Sequence, residues 1–123
     1  MTFSPQHFTV WAEIPVTDLD KAIEFYNAVF DIELKKQDDG PSTIAMFPTA
    51  DGMGVAGHLY VGESAKSGNG PTVHFACPGD LQEALNRVKS SGGKVLSDII
   101  SIPAGRFGYC LDLDGNSFGV FAR

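Results

Sequence analysis

Few side chains in this sequence are equipped for chemistry. The set comprises Glu13 in an aromatic run, His58 and His74 inside strand-like runs, the thiols of Cys77 and Cys110, and Arg106. No CxxC or HExxH spacing occurs, so the familiar thiol-redox and zinc-protease patterns are missing. No Ser-His-Asp order stands out, and Cys110 has no activating partner nearby in sequence. Gly105-Arg106-Phe107-Gly108 is only loosely like a glycine-rich phosphate loop, and no helix follows it to supply amide groups. Arg106 remains a candidate for binding an anionic substrate group.

Glu13 carries the sharper expectation. It lies two residues from Trp11, hence on the same side of a strand. A carboxylate buried among rings gains proton affinity, which would make Glu13 a general base. Trp11, Phe75 and Phe121, with Phe47 and Tyr109 as further candidates, supply flat apolar walls. Such walls suit a planar or hydrophobic ligand, with Glu13 as its polar anchor.

These residues need elements to position them. Residues 8–14 alternate as a strand ended by Pro15, with Val10, Ala12 and Ile14 on one face and Trp11 and Glu13 on the other. Thr17 or Asp18 then caps a helix in which Leu19, Ala22, Ile23, Tyr26, Val29 and Phe30 recur at helical spacing. Further strands are expected over 32–36, 43–47 and 55–61, with a turn at Asp38-Asp39-Gly40-Pro41. The polar stretch 63–70 is an exposed connection.

After it the order begins again. A strand over 72–77 leads to a helix opened by Asp80 and Glu83 and stopped by Gly92-Gly93. A strand over 94–100 and a closing hairpin over 106–121, turned at Asp114-Gly115-Asn116, complete the set. Asp18-Leu19 maps onto Asp80-Leu81 by a shift of 80 minus 18, or 62 residues, and the same shift carries Thr43 to Gly105 and Val55 to Ser117. The chain therefore reads as two strand-helix-strand-strand-strand units, an α+β protein.

Bulk properties narrow the partners. With 123 residues, 43% of them apolar, one compact domain over 1–123 can close a core, whereas half of it could not. A formal charge of -6 argues against nucleic acid or an anionic membrane as a partner. No apolar run approaches the roughly 18 residues of a bilayer span, and MTFSPQHF lacks the regions of a signal peptide, so a cytoplasmic location is expected. Cys77 and Cys110 then read as reduced packing residues.

The segment WAEIPVTDLDKAIEFYNAVFDIEL resembles the opening of the vicinal oxygen chelate superfamily, which includes glyoxalase I, bleomycin-resistance proteins and extradiol dioxygenases. PTVHFACPGDLQEALNRVKSSGGKV resembles its second helical module and DLDGNSFGVF its closing motif; the chain looks most like a bacterial branch related to lactoylglutathione lyase. The resemblance implies tandem βαβββ modules, about 7–62 and 71–122, whose mixed sheet curls around a cavity with the helices outside. It also implies a homodimer.

Enzymes of that superfamily commonly hold one divalent metal with side chains from the first and fourth strands of each module. Counting from the motifs places Trp11, Gly57, Val73 and Gly119 at those positions, none with a donating side chain, so no metal or other cofactor is expected. Glu13, His58 and His74 would be a displaced metal site only if the strand phase were different; as counted, alternation turns both histidines toward the helices. The expected function is binding of a small organic molecule, as in the bleomycin-resistance members. The alternative is a metal-dependent lyase, isomerase or dioxygenase, and a docking protein with a filled interior is a third reading.

Overall fold

The computed structural model describes residues 2–39 and 42–123. Of the turn expected over 38–41, Gly40 and Pro41 therefore lie outside the described residues. The first module contains β1 (Ala12–Val16), α1 (Leu19–Phe30), β2 (Lys35–Asp39), β3 (Ser42–Met46) and β4 (Gly57–Val61). The second contains β5 (Val73–Ala76), α2 (Leu81–Ser90), β6 (Lys94–Val95), β7 (Ile100–Ile102), β8 (Gly105–Leu111) and β9 (Ser117–Ala122). The doubled βαβββ plan holds, except that the strand expected over 94–100 is broken into β6 and β7.

Each helix starts where its cap residue dictates. Asp18 Oδ1 accepts from the Lys21 amide at 3.1 Å and Asp80 Oδ2 from the Glu83 amide at 3.0 Å, satisfying donors that have no partner within the helix. Leu19, Ala22, Phe25, Tyr26, Val29 and Phe30 form the buried stripe of α1, and Leu81, Ala84, Leu85 and Val88 that of α2. The last turn of α1 has no basic residue of its own. Arg87 of α2 supplies one, donating from Nε to the Val29 carbonyl at 3.0 Å, where a cation meets the negative end of the helix.

The strands form two mixed sheets, ordered β1-β4-β3-β2 and β5-β9-β8-β6, with β7 also on β8. One face of each packs on the helices through Ile14, Val16, Ala45 and Leu59 in the first sheet and Cys110, Phe118 and Val120 in the second. The other face is open. Side chains across the join tie the modules together: Thr17 donates from its amide and hydroxyl to Asp114 Oδ1 at 3.0 and 2.7 Å, and Asn116 Nδ2 donates to the Pro15 carbonyl at 2.8 Å.

The first strand begins later than its alternation suggests. Residues 8–11 are outside β1, and Phe8 is 82% exposed. Pro15 does not end the strand. The Val16 carbonyl accepts from the Gly62 amide at 2.9 Å, so the even-numbered residues of β1 point their peptide groups at β4 and Pro15 points its nitrogen the other way. A proline is tolerated on an edge strand in that orientation, since no ladder bond is lost. Among the described residues no helix is long and apolar enough to cross a membrane.

Candidate ligand-binding site

The open face of the first sheet carries a linked trio. Glu13 pairs with His58 in the β1–β4 register, so the two share a face. Trp11 Nε1 donates to His58 Nδ1 at 2.9 Å, and His58 Nε2 lies 3.4 Å from Glu13 Oε1. An indole nitrogen only donates, so Nδ1 of His58 is bare and the ring proton sits on Nε2, facing the carboxylate. Glu13 is 69% exposed, which removes the premise of a carboxylate buried among rings.

On the second sheet His74 pairs with Gly119 and shares the open face with it. Its ring lies 4.9 Å from that of Phe107, 5.7 Å from Phe121 and 5.9 Å from Tyr109. Partial desolvation lowers the pKa of His74, favouring neutral imidazole. The ring fills the space above Gly119: a Cβ there would lie 2.1 Å from His74 Nδ1.

These pairings correct the counted register. His58 and His74 face the open side with Glu13, while Gly57 and Val73 face the helices. In the first and fourth strands of the modules the repeat runs at 61 residues, 74 minus 13 and 119 minus 58, although the helix caps obey 62. The connection into α2 is one residue longer. Asp18 follows the strand residue Val16 by two places, whereas Asp80 follows Cys77 by three, through Gly79 in the left-handed region at φ 69. Phe75 is displaced by the same slip. It points toward the helices, against Tyr26, Phe30 and Phe47, whereas Phe121 points to the open face.

The donors present do not fit the divalent ion that enzymes of such a fold hold. Glu13 and His58 make one pair, His74 stands apart among its rings, and among the described residues no three His, Cys, Asp or Glu side chains gather around one point. Position 119 admits no donor while His74 keeps its place. The displaced set of Glu13, His58 and His74 is not assembled.

Between β1 and β5 lies a cavity of about 550 Å³. Trp11, Ile14, Phe30, Phe47, Val55 and Phe75 form most of its walls, and among the described residues no Asp, Glu, Lys or Arg lines it. Phe47 and Phe75 are stacked, centroids 4.9 Å apart and planes 28° apart. Of the residues singled out in the sequence, Trp11, Phe47, His74, Phe75 and Cys77 line it. Tyr109 and Phe121 do not line it and lie on the open face against the ring of His74, and Arg106 is exposed on β8. Glu13 lines a neighbouring pocket of about 190 Å³ with Asn116 and Ser117. Sequence reasoning missed Phe30 and Cys77 as lining; Phe30 is the last residue of the α1 stripe, a position that reads as core.

A family model for the Glyoxalase/Bleomycin resistance protein/Dioxygenase superfamily matches residues 5–120. A glyoxylase-like domain-containing protein from Didymella fabae is 31% identical over 120 residues, 90% of each chain. Among solved structures, a hypothetical protein from S. aureus superposes with a TM-score of 0.72 at 18% identity, covering 97% of this chain and 100% of that one. The fosfomycin resistance protein FosX from Listeria monocytogenes gives a TM-score of 0.68 at 20% identity, covering 98% and 93%. At these identities the two structures speak to the fold alone.

Proposed function

The chain belongs to the glyoxalase/bleomycin resistance protein/dioxygenase superfamily, and on that premise we propose that it binds a small organic molecule in the cavity between β1 and β5, without the family's metal. The observation that carries this reading is an uncharged, ring-walled space of about 550 Å³, large enough for a drug-sized molecule. The scattered donors on the open face support the metal-free part of it. Glu13, paired with His58 and lining the neighbouring pocket, is the group for any acid–base work. The protein acts in the cytoplasm, with Cys77 and Cys110 as free thiols, and as a homodimer that covers exposed apolar residues such as Phe3, Phe8 and Met53.

Trp11 is the only tryptophan in the sequence and lines the cavity, so its fluorescence reports occupancy directly. Titration with the neutral dye Nile red is expected to quench Trp11 and to protect Cys77, another lining residue, from alkylation. Phe75→Ala is expected to weaken the dye at least tenfold, as loss of one aromatic wall implies. Unchanged Trp11 emission and unprotected Cys77 at saturating dye would sink the reading. Turnover of any substrate found is the test of Glu13: Glu13→Gln abolishes it if the carboxylate moves a proton, and leaves it intact if Glu13 is only a surface group.

A further inference from the structure

Thr9, Trp11, His74 and Cys77 are the lining residues with polar side chains, and strand backbone adds further polar groups. β1 and β5 are each an edge strand of their sheet, and residues of both line the cavity. Along a strand the peptide groups of successive residues point to alternate sides. The Cys77 amide donates to the Phe121 carbonyl at 2.8 Å, so Val73, Phe75 and Cys77 turn their peptide groups toward β9. Those of His74 and Ala76, both lining residues, turn away from β9. On β1, Pro15 has no N–H and its carbonyl is taken by Asn116. Among the described residues nothing pairs with the carbonyl of His74 or the amide of Ala76. An acceptor and a donor two residues apart thus stand beside the stacked rings of Phe47 and Phe75.

We propose that the cavity takes an uncharged planar heteroaromatic molecule whose ring edge carries a donor next to an acceptor, as a lactam does, pairing with the His74 carbonyl and the Ala76 amide. This rests on the cavity being a ligand site, and it names the class of ligand. Three features select it. The absence of charged lining penalises an ion, which would leave water without a counter-charge. The aromatic walls favour a flat ring. The two edge groups reward a ligand that satisfies both, because an unpaired peptide group shut away from water is costly.

Isothermal titration of the intact protein with four compounds that share a fused two-ring frame tests it: quinoxalinone (donor and acceptor), quinoxaline (acceptor only), naphthalene (neither) and quinoxaline carboxylate (anionic). Quinoxalinone is expected to bind roughly three- to tenfold more tightly than naphthalene for each hydrogen bond gained, and the carboxylate not measurably. Ala76→Pro deletes one cavity-facing donor and no bond to β9, since the β9 ladder uses the odd-numbered residues. It should remove the advantage of quinoxalinone over naphthalene; the four-compound ranking stands as a test even if that variant folds poorly. A carboxylate that binds as well as quinoxalinone, or a quinoxalinone no better than naphthalene, overturns the ligand class while Nile red binding keeps the cavity reading alive. If Nile red fails as well, both fall. A dimer that Ala76→Pro dissociates, with no ring bound by either form, assigns the β5 edge to a second copy of the chain and overturns the proposal.

Discussion

The hydroxyl of Tyr26 donates to Oδ2 of Asp112 at 2.7 Å, joining the middle of α1 to the hairpin that closes the other module. Asp112 is 6% exposed, and its carboxylate also accepts from the amides of Asp114 and Asn116, both at 2.9 Å, and from Asn116 Nδ2 at 3.0 Å. A buried charge is tolerable when its lone pairs are filled in this way. The same hairpin holds Thr17 through Asp114, so the network sets how the two modules meet and hence the width of the gap that contains the cavity.

Tyr26→Phe removes one donor from that carboxylate and leaves the ring packing in place. The expected cost is about 1–3 kcal/mol, read as a lower denaturant midpoint with an unchanged slope. A cost near zero would mean that water replaces the hydroxyl.

Alkaline pH should weaken the fold. Burial, then the charge and hydrogen bond of Asp112, raises the Tyr26 pKa well above 10.0, and burial pushes the Cys110 thiol from 9.0 to about 12. Both groups hold their protons in the folded chain at pH values where the unfolded chain has released them. Their contribution is whole below about pH 9 for Cys110 and about pH 10 for Tyr26, and is lost as the pH climbs through the folded values. Melting temperature is expected to decline from pH 9 upward, with Tyr26→Phe flattening the part above pH 10. A flat profile to pH 11 would contradict the burial of both groups.

His74 gives the opposite sign on the acid side. Its pKa is lowered from 6.5 by partial desolvation, so its contribution is present above 6.5 and is lost as the pH falls through the folded value. His74→Gln should flatten the melting profile between pH 7 and 5, by an amount kept small because the ring is partly in solvent.

Gly119→Ala forces His74 off its place, because the new Cβ would sit 2.1 Å from Nδ1. We expect a loss of about 1–3 kcal/mol, most of it recovered when His74→Ala is added. Additive losses in the double variant would show that the two positions do not share space.

Zinc, nickel or manganese added to metal-stripped protein should not raise the melting temperature beyond the change seen in a Glu13→Gln, His58→Gln double variant. A site occupied at a hundred times its Kd would add about 2.7 kcal/mol, a shift easily measured. Such a shift, lost in the double variant, would restore the metal-dependent reading.

Local chemistry was legible in the sequence. Asp18 and Asp80 cap helices by bonds to residues three places on, the α1 stripe repeats at the helical period, and Asp114-Gly115-Asn116 turns the closing hairpin; each needs only near neighbours in the chain. The doubling was legible for the same reason, because both copies repeat those local signals. Strand phase was not. A strand has period two, so the single extra residue around Gly79 moved His74 to the open face and Phe75 to the helix side, and the Gly92-Gly93 stop from which the count ran lies beyond it. Nor could the sequence show that two edge strands, β1 and β5, line one ring-walled space. That separation is decided by how two modules settle against α1, α2 and the Asp112 network, through contacts between residues that are far apart in the chain and carry no local signature.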